Sequence, residues 1–285
     1  GIYNRSLHAA QDIAQQWQIP FSTDSLDGLL DQQLDAAFVL TSNETHYNFT
    51  KRLLENRIDV FSEKPAANTS LEAQELAELA DQHGKVLMIG FNRRYAPLYR
   101  QAKELLSEKK IRMCILEKHR TGVWDRGLVE SYMDDIIHQI DLLRYFAGEP
   151  VVNETHVIID EEKFIGAAST CTLPEGGIGL VVSSREAGMW QERATITGDD
   201  VTVVINAFRE LRVLHKDHEE VYGTERGGRW FPQLQERGFT GEIEHFIHCV
   251  NTRNQPLTDG YDSVLTQRLV EAMIAKSDDA RVKKK

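Results

Sequence analysis

The sequence predicts an α/β chain in two parts: a parallel sheet with helices on both faces, then an α+β domain on a large open, mostly antiparallel sheet. Three observations predict it. Short apolar strands alternate with helical patterns as far as Lys109. From Val151 onward strands dominate, separated by turn residues. A length of 285 residues suits one large domain or two ordinary ones, and 41% hydrophobic residues can fill a core.

The opening Gly1-Ile2-Tyr3 reads as the tail of a strand. Ala9, Ala10, Ile13, Ala14 and Trp17 then recur at helical spacing, with Asn4 or Ser6 as cap and Pro20 beyond the end. A short helix over 26–30 precedes 36–40, an apolar run that reads as a buried parallel strand. A helix over 44–56 follows, then a strand over 57–61 that ends in Ser62-Glu63-Lys64-Pro65. Thr69 and Glu72 have capping-box spacing ahead of a helix over 71–82. A strand over 86–91 and a helix opened by Pro97 complete the alternation.

The rhythm changes after Lys109. A strand starts at Met113, a polar stretch follows, and a helix is expected over 134–146. Strands are expected over 152–160, 164–172, 177–185, 191–197, 201–206, 210–215 and 219–222. Gly227-Gly228 marks a loop, helices return over 241–251 and 261–276, and the lysines at 283–285 read as a solvated end.

The formal charge is −11, from 33 Lys and Arg against 44 Asp and Glu. That opposes a nucleic-acid or anionic-membrane partner, though not a local anion site. No apolar run nears the roughly 20 residues that span a bilayer. Cys114, Cys171 and Cys249 lie far apart and read as reduced thiols of a cytoplasmic chain.

Ligands of open α/β sheets bind outside the carboxyl ends of the strands. Asn4-Arg5-Ser6, Thr41-Ser42-Asn43, Ser62-Glu63-Lys64-Pro65 and Asn92-Arg93-Arg94 all fall at such ends. Each cluster alone also reads as helix caps and solvated cations. Lys64 follows an apolar strand directly and could polarise a hydroxyl or carbonyl oxygen, although the tripeptide alone equally fits a surface lysine. Asp134 and His138 are four apart, on one face of the expected helix, with Asp141 beyond them. A general base tuned by a carboxylate is one reading and a satisfied core histidine the other. As metal ligands they are only two, so no metal site is read. Lys118, Arg120, Trp124 and Tyr132, joined by Arg185 and Trp190, could wall a pocket for a hydroxylated or anionic substrate.

These residues resemble the Gfo/Idh/MocA family of dinucleotide-dependent oxidoreductases over essentially the whole chain. The pieces that carry the resemblance are Ser62-Glu63-Lys64-Pro65, Gly90-Phe91-Asn92-Arg93-Arg94, and 134–148 with its D-x-x-x-H-x-x-D pattern. Lys118-His119-Arg120 and Gln235-Glu236-Arg237-Gly238-Phe239 are similar to the MviM-type group within it. The resemblance implies a Rossmann domain over 1–108 and a substrate-binding and oligomerisation domain over 109–285, its last helix packing back on the first. It places Lys64, Asp134 and His138 by a nicotinamide, and Thr41, Ser42, Asn43, His46 and Glu63 along the cofactor. Asn92 and Arg94 fall at the inner end of the site. A homodimer or homotetramer is expected.

Two departures stand out. The family's first strand and Gly-rich turn have no counterpart here, which reads as an N-terminally incomplete Rossmann domain in a partial sequence. Asn4 stands where an acidic residue commonly binds the adenosine ribose, and Arg5 and Ser6 could hold a 2′-phosphate, which tilts the balance from NAD slightly toward NADP. The activity implied is hydride transfer between nicotinamide and a hydroxyl-bearing carbon of a sugar, cyclitol or related polyol. His138 would act as base, Asp134 would orient it, and Lys64 would bind the reacting oxygen. The rivals are an NAD-dependent glycoside-cleaving enzyme of the same fold and a non-catalytic dinucleotide sensor.

Overall fold

A computed structural model describes residues 1–223 and 232–278. The loop expected at Gly227-Gly228 and the lysine tail lie outside them. The chain opens with β1 (Ile2–Tyr3) and α1 (Leu7–Trp17), whose first turn is closed by the Ser6 hydroxyl accepting from the Ala9 N–H. β2 (Ser22–Thr23) runs parallel to β1, and α2 (Leu26–Leu30) follows. β3 (Ala36–Val39), α3 (His46–Glu55), β4 (Asp59–Glu63), α4 (Ser70–Gln82) and β5 (Leu87–Gly90) build a three-stranded parallel ladder. The Thr69–Glu72 capping box closes both ways.

Two expectations shift here. β4 starts at Asp59 rather than at residue 57, because Arg57 takes left-handed backbone with φ 58°. The parallel strands form two ladders rather than one, which makes β3 an edge strand and not a buried one. Phe38 is 43% exposed and Leu40 66%.

α5 (Pro97–Leu105) leads to the second sheet. Its strands are β6 (Met113–His119), β7 (Val151–Asp160), β8 (Lys163–Thr172), β9 (Ile178–Ser184), β10 (Gln191–Gly198), β11 (Val201–Asn206), β12 (Glu210–His215) and β13 (His218–Gly223). The order is β13-β12-β11-β10-β6-β9-β8-β7, antiparallel throughout except for β6 beside β9. Between β6 and β7 lie α6 (Leu128–Ser131), a π turn over Tyr132–Ile136 and α7 (Ile137–Ala147). α7 covers the inner face, where Cys114, Leu116, Val181 and Ile196 pack with Ile137, Ile140 and Leu143.

After α8 (Gln233–Glu236), α9 (Phe239–Thr252) and α10 (Gly260–Ala275) return to the first sheet. Phe246 of α9 meets Phe38 and Phe61 with centroids 5.2 and 5.8 Å apart. The Ile89 N–H donates to Thr258 O at 2.8 Å, so residues 258–259 lengthen the sheet beside β5. Gln267 of α10 donates to Ala67 O at 3.0 Å, and Glu271 accepts from the Ser70 N–H at 2.6 Å. The entry to α9 needs glycine. Gly238 has φ 87°, and a Cβ there would sit 2.0 Å from Asn92 O. Among the described residues no helix is long and apolar enough to cross a membrane.

Candidate active site

β4 ends at Glu63, so the side chain of Lys64 leaves the carboxyl edge of the parallel ladder. It reaches the π turn. Lys64 Nζ donates to Asp134 O at 2.5 Å and to Asp134 Oδ1 at 3.0 Å. Asn43 donates to the same carboxylate oxygen at 3.3 Å, and Arg126 pairs with the other. Residues from β3, β4 and the π turn are thereby tied together. Burial opposes ionisation of Asp134, but the Lys64 ammonium and these donors hold its carboxyl below the usual range.

The π turn changes what was expected of His138. The helix starts at Leu128 rather than at residue 134, and the wider turn breaks the face that would have paired Asp134 with His138. The Asp134 oxygens go to Lys64, Asn43 and Arg126 instead. His138 is half-buried on α7, and its Nδ1 is buried with no partner. Burial, then Arg93, Lys118, Lys64 and Arg120, push its pKa well below the imidazole range. The charged form is therefore disfavoured, the reverse of the expected carboxylate effect.

Asp135, which the sequence reading missed, is a hub. It is buried, and its carboxylate takes Lys118 at 2.7 Å, Arg120 at 2.6 Å and Arg185 at 2.9 Å. Its backbone oxygen also accepts from Lys118 Nζ at 3.0 Å. These cations hold the Asp135 carboxyl far below its ordinary value, although burial opposes them. Lys118 and Arg120 alternate onto one face of the β6 path, and the sheet register sets Glu192 opposite Lys118. Buried Glu192 pairs bidentately with Arg93, its Oε2 2.9 Å from Arg93 Nη2. A buried lysine with an arginine two residues on along the same strand face demands nearby acids, a signal that could have pointed to Asp135 and Glu192. Trp124 stacks on the group, 3.7 Å from the Arg185 guanidinium carbon.

Other candidates lie elsewhere. Arg94 is 4% exposed and forks onto Asp141 at 2.8 and 2.6 Å, with Asp262 at 3.0 Å, so it bolts α7 to α10. Asn92 donates to Arg237 O at 2.8 Å and holds the approach to α9. Arg93 goes to Glu192 instead, and its charge is one of those that act on His138. Tyr132 is buried with its hydroxyl on Ser169, 3.0 Å away, and Trp190 packs on the main core, so neither joins the charged wall. His46 spans Pro65 O at 2.8 Å and Thr41 O at 3.0 Å, fixing the loops after β3 and β4. Arg5, Ser6, Thr41 and Ser42 are exposed at the strand ends, while Asn4 Oδ1 accepts from the Ser6 N–H at 2.9 Å. These exposed polar groups at the strand ends are of the kind that the ribose and phosphate groups of a dinucleotide need, and His138 Nδ1 is buried without a partner. A cavity of about 370 Å³ lined by Lys85, Arg253 and Tyr261 sits at the other, amino end of β5, away from Lys64.

Half-buried Glu63 and buried Glu242 repel one another. Burial raises the pKa of Glu63 against the pull of Lys64, whose N–H it accepts at 3.2 Å. Glu242 is 1% exposed, and its Oε2 has no partner. Burial and the Glu63 charge push it up to about 9. The unfolded carboxyl titrates near ~4.3, so between those values the folded chain keeps a proton the unfolded chain has lost. Stability therefore falls as pH rises through that window. Glu242→Gln is expected to raise Tm at pH 8 and to flatten the decline, read by thermal melts from pH 5 to 9.

Comparison with known proteins bears on the family and the fold. The profile of the oxidoreductase family with an NAD-binding Rossmann fold, GFO_IDH_MocA, matches residues 1–91. YceM of Salmonella typhimurium, which bears an oxidoreductase name, is 32% identical over 276 residues, covering 96% of this chain and 87% of that one. The scyllo-inositol 2-dehydrogenase (NAD(+)) of Bacillus subtilis is 25% identical over 95% of this chain and 83% of its own. The crystal structure of the dehydrogenase MviM from Clostridium difficile superposes with a TM-score of 0.87 at 24% identity, covering 95% and 88% of the two chains.

Proposed function

Because this chain belongs to the Gfo/Idh/MocA oxidoreductases with an NAD(P)-binding Rossmann fold, we propose that it oxidises or reduces a carbinol carbon of a sugar, cyclitol or related polyol. The observation that carries this reading is the Lys64–Asp134 pair, 3.0 Å apart at the strand edge, whose ammonium is among the charges that lower the His138 pKa. Dehydrogenase names among the similar proteins, scyllo-inositol 2-dehydrogenase for one, support the substrate class.

When bound, the nicotinamide supplies the hydride acceptor or donor. The remaining work belongs to the chain. Thr41, Ser42 and Asn43 would hold the cofactor along the end of β3, with Glu63 and Lys64 at its nicotinamide end. Lys64 donates to the reacting oxygen and stabilises the negative charge that develops there. Asp134, with Asn43 and Arg126, fixes where that ammonium sits. Neutral His138 takes the hydroxyl proton in oxidation and returns it in reduction. With Asn rather than an acid at position 4, and exposed Arg5 beside it, the adenosine end suits NADP slightly better than NAD. The half-buried outer face of the second sheet, with Ile115, Leu180 and Val182, suits a homodimer or homotetramer.

The test is cofactor reduction with a polyol panel from pH 5 to 9. Because burial and the cations around it lower the His138 pKa, oxidative kcat/KM is expected to hold level from pH 8 down through the ordinary imidazole range and to fall only in more acid solution. A protein that binds cofactor but turns over none of the panel would instead be a sensor.

A further inference from the structure

We propose that Lys118, Arg120 and Arg185 form an oxyanion subsite beside His138, so that the substrate is a polyol or sugar bearing a carboxylate or phosphate. This rests on the reading of Lys64 and His138 as the reacting site.

The charge balance carries the argument. Lys118, Arg120 and Arg185 share the one carboxylate of Asp135, and Lys64 and Arg126 share that of Asp134. Arg93 and Glu192 cancel one another. Among the described residues, Asp135 alone therefore pairs with three cations, with Glu192 also acting on Lys118. Neutralising Asp135 alone needs one cation, and buried charge beyond that is costly. The excess lies toward the candidate site, since the Lys118 and Arg120 charges both act on His138.

Arg185 supplies the second observation. It is 1% exposed, and although its Nη2 lies 2.9 Å from Asp135 Oδ2, none of its three nitrogens makes a well-formed hydrogen bond. One guanidinium face is covered by Trp124 at 3.7 Å. What remains is the edge of the fork, the geometry that takes two oxygens of a carboxylate or phosphate. Arg120 is 32% exposed and opens the group to solvent. A neutral cyclitol would leave these donors buried and unmatched.

Calorimetry on the protein without cofactor tests the subsite, with D-gluconate, D-galacturonate and D-glucitol phosphate against neutral D-glucitol and D-galactose. At least one anionic probe is expected to bind about tenfold or more tighter than its neutral match. The favoured probe distinguishes carboxylate from phosphate. Arg120→Gln and Arg185→Lys, each checked for an unchanged melt, are expected to bring the anionic probes to the affinity of their neutral matches; Arg120→Gln serves alone where Arg185→Lys fails to fold. Equal or tighter binding of the neutral probes would overturn the subsite. Turnover assays with the same compounds separate the two claims. Neutral polyols turned over as well as anionic ones would sink the subsite but keep the reaction. Anion binding without any turnover would keep the subsite and sink the reaction.

Discussion

Lys64→Ala is expected to lower kcat by about a thousandfold while the protein still folds and binds cofactor. The ammonium leaves the strand edge toward the reacting oxygen, and Asp134 holds it at 3.0 Å. Removing it leaves Asp134 with Asn43 and Arg126, and Asp134 is 25% exposed, so no bare buried charge remains. Tm should move by only a few degrees. Steady-state kinetics beside a fluorescence titration of cofactor check both halves. A loss of less than about tenfold in kcat would remove Lys64 from the chemistry.

Asp135→Asn is expected to cost stability instead. The carboxylate holds Lys118, Arg120 and Arg185 in a buried space where Lys118 is 1% exposed. Burial and Arg93 already push the Lys118 pKa down to about 8, against the pull of Asp135. Taking the negative charge away strands the cations, at about 3–5 kcal/mol, or a fall in Tm of ~10 °C. Adding Lys118→Met to Asp135→Asn should recover part of the loss, because one stranded charge goes with it. Thermal melts of the single and double variants measure this. A double variant no better than the single would place the cost elsewhere.

Much of the fold was legible because local signals agree with it. Ser6, the Thr69–Glu72 box and Pro97 mark helix starts by satisfying or lacking end N–H groups. The strands of the second sheet are bounded by turn residues. Lys64 was legible because an apolar run ends just before it. The π turn was not. Nothing in Tyr132-Met133-Asp134-Asp135-Ile136 departs from an ordinary helix pattern, and the turn is selected by partners distant in sequence, Lys64 and Lys118. That turn decides that Asp134 meets the lysine rather than the histidine, and that Asp135 faces the sheet. Arg93 and Arg94 are adjacent and alike in type. Only the turn over Asn92–Tyr95 sends one to Glu192 and the other into the Asp141 pair. Glu242 went unnoticed because a lone glutamate on a helix is ordinary until α9 folds back on the first sheet.

The central claim is that Lys64 and His138 together serve a hydride transfer from a carbinol carbon. Deuterium transfer from a carbon-deuterated substrate, followed by NMR of the recovered cofactor, tests it most directly. The protein should place deuterium on nicotinamide C4, and a Lys64→Ala/His138→Ala variant that still binds cofactor should place none. Transfer by that variant at the unmodified rate would contradict the account.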